Sequence, residues 1–122
     1  MEKQTALILE DYHPLAELYA LALESTGFNT KIMSDGKNVM TWVAQNKPNL
    51  IFASLYLPFL SGSEFVTQIQ NFNQANKTKI VLSNGDDKEL YALQKQVDFV
   101  IKRPLTYTEL CDLSMRLCQP EA

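Results

Sequence analysis

The sequence predicts an α/β protein, a parallel sheet with helices on both faces. Three observations carry this. Five short apolar runs alternate with stretches of helical spacing. One of the runs, Leu50 to Leu57, is apolar or aromatic at every position but Ser54 and lies between Pro48 and Pro58. A run that short and that apolar suits a central strand buried on both faces. Strands alternating with helices of this length also imply βαβ units with right-handed crossovers. Four runs then end in polar residues: Glu10-Asp11, Ser54, Ser83 and Lys102-Arg103. A doubly wound sheet gathers such ends on one edge, where ligands bind.

The elements follow in order. Thr5 to Leu9 reads as the first buried strand and stops at two carboxylates. From Pro14 to Thr26 the apolar residues Leu15, Leu18, Tyr19, Ala22 and Leu23 take helical spacing. Pro14 belongs in the first turn, where its missing N–H costs nothing. Gly27 ends the helix as the residue after its cap. Asn29 to Met33 is a second strand. Ser34-Asp35-Gly36 is a turn and cap, and Val39, Met40, Trp42 and Val43 line a helix to about Asn46. After the central run, Phe59 to Ser63 is a loop and Glu64 to Asn73 a third helix. A polar connection through Lys77 is too short for a domain linker. Lys79 to Ser83 is the fourth strand, Asp87 to Gln96 a short fourth helix and Asp98 to Ile101 the fifth strand. Thr106 with Glu109 three residues on forms a capping box for the last helix. Its inner face carries Leu110, Leu113, Ser114 and Leu117.

Bulk properties narrow the function. A length of 122 residues suits one domain, spanning 1–122, with a sizeable core. Net charge is −3 and the pI about 5.1, which argues against nucleic-acid binding by bulk electrostatics. No apolar run is long enough for a membrane span, and the N-terminus lacks the apolar core of a signal peptide. A cytoplasmic protein is expected. Cys111 and Cys118 are seven residues apart. On one helix face their Cα atoms would sit about 10 Å apart, too far for a mutual disulfide. They read as reduced packing residues.

With these landmarks in order, the chain resembles the receiver domains of two-component response regulators, from about Thr5 to Leu117. Glu10-Asp11 resembles the family's acidic pair after the first strand. Pro48 to Pro58 resembles its third strand and the start of the following loop, with Gly62 at the loop's usual glycine. Ser83 falls at its serine or threonine, and Arg103-Pro104 at its lysine-proline pair. The fold implied is flavodoxin-like: a three-layer sandwich with five helices around a five-stranded parallel sheet of order 2-1-3-4-5. The activity implied is acceptance of a phosphoryl group from a histidine kinase by an aspartate ending the third strand. Mg²⁺ would be held by that aspartate and the acidic pair.

Position 54, where that aspartate belongs, is a serine. A serine hydroxyl is a poor nucleophile without an adjacent base, and an acyl phosphate cannot form on it. Glu10 and Asp11 alone can hold a hydrated Mg²⁺ only loosely, since Mg²⁺ wants near-octahedral oxygen ligands. They read as solvated carboxylates near Arg103. The lysine's place falls to Arg103, which is joined to Pro104. Val100 then takes the family's switch-aromatic place. Alternatively Lys102 is the equivalent and Phe99 the aromatic. Guanidinium is a planar fork and ammonium a point charge, so the exchange is not neutral. Tyr56 is placed to cover the site, Asn84 to bond the loop backbone, and His13 on the surface. Phe59 and Leu60 form either a contact surface or packing against the third helix.

The function expected is that of a degenerate receiver, not an enzyme, without a resident cofactor. It acts in signalling through protein contacts independent of phosphorylation. The expected partner is a kinase, an output protein or a second copy meeting the fourth and fifth helices, with no nucleic acid and no membrane. Two other readings stay open: a phosphorelay receiver using a non-standard acceptor, and a flavodoxin-like sensor of a small ligand. The second lacks a glycine-rich phosphate loop, since Glu10 to Pro14 contains no glycine.

Overall fold

The computed structural model describes residues 3–55, 57–60, 62–73, 78–83, 86–101 and 104–118. Five parallel strands form one sheet: β1 (Thr5–Leu9), β2 (Asn29–Met33), β3 (Leu50–Ser54), β4 (Lys79–Ser83) and β5 (Phe99–Ile101). Their order is β2-β1-β3-β4-β5, as expected. Five α-helices cover the sheet: α1 (His13–Ser25), α2 (Val39–Asn46), α3 (Gly62–Asn73), α4 (Asp87–Leu93) and α5 (Tyr107–Leu117).

Residues alternate between the two faces of the strands, and the core divides accordingly. Ala6 and Ile8 of β1, Leu50 and Phe52 of β3 and Val81 of β4 pack with Tyr19, Leu23, Leu110 and Leu113 of α1 and α5. Leu7, Leu9, Ile51, Ala53, Ile80 and Leu82 pack with Val43, Phe65, Ile69 and Leu90 of α2, α3 and α4. All five residues of β3 are buried, which makes it the centre of both cores. Each fully buried Leu, Ile or Phe is worth about 1.5–3 kcal/mol relative to exposure.

The strand starts are tied by side chains. Asn49 Oδ1 accepts the Thr5 N–H at 2.8 Å, and the Thr78 hydroxyl donates to the Pro48 carbonyl at 2.7 Å. Asp98 Oδ2 accepts the Ile80 N–H at 2.8 Å, while its other oxygen lies 3.8 Å from Lys79 Nζ.

Several boundaries differ from the sequence reading, for local reasons. The apolar run continues to Leu57, but β3 ends at Ser54. Leu55 and Leu57 are buried as loop residues instead. The fourth helix stops at Leu93 and tightens into a 3₁₀ turn over Gln94–Gln96. β5 begins at Phe99, because Asp98 is occupied in bonding β4. Asn38, with φ 63°, stands at the N-cap of α2 in place of the Ser34–Gly36 turn. Asp35 caps its own turn, accepting the Lys37 N–H at 2.8 Å. Gly27 does close α1, at φ +99°. The Thr106–Glu109 capping box is formed in both directions.

Candidate functional site

The carboxyl ends of β1, β3 and β4 bring Glu10, Asp11, Ser54 and Ser83 to one edge of the sheet. Leu9 is in register with Ala53, so Glu10 follows β1 level with the end of β3. Ser54 and Ser83 are paired directly across β3 and β4. The ladder runs one step further, with the Leu55 N–H donating to the Ser83 carbonyl at 3.0 Å.

Glu10 is not the solvated carboxylate expected from the sequence. It is 3% exposed, whereas Asp11 beside it is exposed. Its main-chain N–H donates to the Met33 carbonyl, which draws the residue in over β2. Glu10 Oε2 accepts the Tyr12 N–H at 3.0 Å. Burial pushes its pKa upward. The Tyr12 N–H opposes this, and the adjoining Asp11 carboxylate adds to the rise.

The two hydroxyls are equally enclosed. Ser54 is 3% exposed and Ser83 fully buried. Ser83 Oγ has no hydrogen-bond partner among the described residues. A buried polar group left that way costs about 1–3 kcal/mol. The site therefore keeps polar side chains where a tightly packed sheet edge would take Ala or Val.

Two features around the site escaped the sequence reading. Beneath it, Tyr19 of α1 is fully buried with its ring 4.5 Å from that of Phe52. Its hydroxyl has no hydrogen-bond partner among the described residues. Burial, with a smaller contribution from the Glu10 charge, pushes its pKa up to about 12. Helical spacing gave Tyr19 only as a core residue. The second feature is the loop after β3. The Gly36 N–H donates to the Pro58 carbonyl at 2.6 Å, and a Cβ on Gly36 would fall 2.3 Å from the Phe59 carbonyl oxygen. Phe59 sits at φ 60° and is 73% exposed, with Lys37 Nζ 4.4 Å from its ring centre. Leu60 is half-buried against the core. The adjacent apolar pair thus divides, one residue outward and one inward. The signal in the sequence was a glycine three residues beyond β2, whose contact lies across the fold.

His13 is a surface residue, exposed at the start of α1 and 3.2 Å from Glu17. Cys111 and Cys118 are both free thiols. Val100 is half-buried in β5 and Phe99 is 39% exposed. Lys102, Arg103, Tyr56 and Asn84 lie outside the described residues.

Residues 6–114 match the response regulator receiver domain family, and the chain belongs to it. The DNA-binding response regulator MtrA of Mycolicibacterium smegmatis is 33% identical over 108 residues, covering 88% of this chain and 47% of that protein. An uncharacterized 76.5 kDa protein of Thiocystis violacea is 31% identical over 103 residues, 82% of this chain and 15% of its own length. The chain thus spans half or less of these relatives. Among solved structures, the CheY-like receiver domain from Methylobacillus flagellatus superposes with a TM-score of 0.82 at 26% identity, covering 95% of this chain and 99% of that one.

The donor set does not fit the family's Mg²⁺. The third strand offers a hydroxyl in place of a carboxylate, and Glu10 is buried and already accepts a main-chain N–H. Among the described residues no group of three His, Cys, Asp or Glu side chains is arranged to hold a metal ion.

Proposed function

We propose that this chain is a receiver domain that signals through protein contacts without phosphorylation of residue 54. The observation that carries this is Ser54 itself: a buried hydroxyl at the end of β3, where the family's chemistry needs a carboxylate. A carboxylate is ionised at neutral pH and nucleophilic; a serine hydroxyl needs a base to become so. On this reading Ser54 is the vestige of the acceptor position, Glu10 and Asp11 the vestige of the metal pocket, Ser83 the switch hydroxyl, and Arg103 or Lys102 the lysine. The domain is not an enzyme and holds no resident cofactor.

The proposed contact face runs over α4, β5 and α5. Tyr91 is 74% exposed, Tyr107 42% and Phe99 39%. Tyr91 borders a cleft of about 420 Å³ lined also by Leu90 and Val100 and by the polar Asp87, Lys88 and Gln94. Exposed aromatics around a cleft are the usual anchors of protein interfaces. The partner is a kinase, an output protein or a second copy of the chain. Nucleic acid is not expected, given the net charge of −3. No helix among the described residues is long and apolar enough to cross a membrane. A cytoplasmic location is part of the same proposal.

The test is chemical. Incubation with acetyl phosphate and Mg²⁺ should leave the mass unchanged, under conditions that label an ordinary receiver. A gain of one phosphoryl group would overturn the reading and favour a phosphorelay through a non-standard acceptor. The paired variant Ser54→Asp should gain Mg²⁺ affinity by calorimetry. Unchanged Mg²⁺ binding in that variant would mean that the rest of the pocket has been lost as well.

A further inference from the structure

At the edge of the sheet opposite Glu10, Ser54 and Ser83 lies a groove of about 870 Å³. The chain just before β1, the turn between α1 and β2 and the second half of α5 enclose it. Clefts of roughly 300–1,000 Å³ are the size that takes small molecules.

Its chemistry is divided between lining and rim. Gly27, Phe28, Met115 and Cys118 give an apolar lining. Phe28 and Cys118 belong to the core, while Met115 is 57% exposed, the opposite of what core packing asks of a methionine. The hydroxyls and the thiol in the groove are already satisfied inward. The Thr26 hydroxyl donates to the Leu23 carbonyl, that of Ser114 to the Cys111 carbonyl, and the Cys118 thiol to the Asn49 carbonyl. The charged groups are different. Lys3, Asp112 and Arg116 border the groove and are exposed, and their side chains make no hydrogen bond or ion pair among the described residues. Among the described residues the rim thus carries two unpaired cations and one anion, on a chain whose net charge is −3.

We propose that this groove binds a small amphipathic anion: one carboxylate, phosphate or sulfonate on an apolar body. The anion meets Arg116 and Lys3, and the body lies on Phe28, Gly27 and Met115. A neutral apolar molecule would leave both cations unused. A polar anion without a body would gain only screened surface contacts, which are weak. Because the groove joins the α1–β2 turn to α5, the bound molecule would pin those two elements together.

Decanoate, kept below its micelle concentration, is the probe. Decanol and decyltrimethylammonium are its neutral and cationic counterparts. Each is titrated into the whole ¹⁵N-labelled chain while backbone amides are followed by NMR. The expected result is saturable shifts centred on Gly27, Phe28 and Met115, with decanoate binding about two- to fivefold more tightly than decanol, as contacts to exposed cations allow. The double variant Lys3→Gln, Arg116→Gln alters only exposed side chains. It should melt as the parent does and lose that preference. Non-saturating shifts, shifts centred elsewhere, equal affinity for the three probes, or a preference that survives the double variant would each overturn the proposal.

Discussion

The two helical layers on this sheet are held in different ways. In the α1–α5 layer, short polar side chains join the helices across their seam. Ser25 Oγ lies 3.4 Å from Cys111 Sγ, and Thr26 Oγ1 lies 3.3 Å from Ser114 Oγ. The Cys111 thiol also donates to the Ala22 carbonyl. The positive φ here falls on Gly27, which bears it at no steric cost. The other layer contains Asn38, Lys47 and Phe59, all at positive φ with side chains attached. For an L residue that conformation costs roughly 1–2 kcal/mol, least for asparagine. Asn38 and Phe59 lie in the loops that leave β2 and β3, beside the candidate site. The relaxed layer acts as a scaffold, and two of the three strained residues, Asn38 and Phe59, border the site, as functional surfaces often store strain.

The largest expected effect breaks the strained layer. Gly36→Ala places a methyl group against the Phe59 main chain, which cannot yield as a flexible side chain would. Overpacking of this kind costs about 1–3 kcal/mol, and a backbone obstacle argues for the upper half of that range. Urea unfolding should show the loss as a lower midpoint at unchanged slope. A neutral result would mean that the β2–α2 and β3–α3 loops are not clasped as described.

The matching test of the relaxed layer is Thr106→Ala. It removes the hydroxyl that accepts the Glu109 N–H at 3.2 Å and leaves the Glu109 half of the capping box without its counterpart. Loss of an N-cap costs about 1 kcal/mol, again readable in urea. The strained layer should respond to Phe59→Asn in the opposite sense. Asparagine accepts left-handed φ more readily than phenylalanine, while the cation–π contact from Lys37 is lost. The net expectation is a gain of about 0.5 kcal/mol. Stabilisation by removal of an aromatic side chain would show that Phe59 is held outward against the interest of the fold. Destabilisation would make it a structural clamp for Lys37.

The parts of this molecule that were legible in its sequence are those fixed by local pattern. The central strand followed from the apolar run Leu50 to Leu57, though its end at Ser54 did not, and the last helix followed from Thr106 and Glu109. Strand order came from the family resemblance, since no single strand encodes its neighbours. The boundaries that moved depend on distant partners: Asp98 is spent on Ile80, Leu55 keeps only its bond to the Ser83 carbonyl, and Leu57 is buried by the core as a loop residue. The site divides similarly. The sequence put Glu10, Ser54 and Ser83 at one edge, but it could not tell that Glu10 is buried and Asp11 is not. That distinction arises from β2, through the Met33 carbonyl, and from the fold of the Tyr12 main chain over the carboxylate. Phe59 was visible only as an apolar loop residue, because its φ is imposed by a loop from elsewhere in the chain.

The smallest expected effect concerns that buried carboxylate. Burial raises the pKa of Glu10 in the folded protein above its ordinary 4.5. Through this window the native state holds more protons than the unfolded chain, so stability must fall as pH rises. The contribution of Glu10 is fully present below pH 4.5 and is lost as pH climbs through the raised folded value. Glu10→Gln keeps the shape and an oxygen to accept the Tyr12 N–H, and it removes the titration. The variant should therefore melt higher than the parent at pH 7 and close to it at pH 4, with a flatter dependence of Tm on pH between them. If Glu10→Gln melts lower than the parent at pH 7, the charged carboxylate is being stabilised by the fold. The edge of the sheet would then have a use for that negative charge beside the serine at position 54.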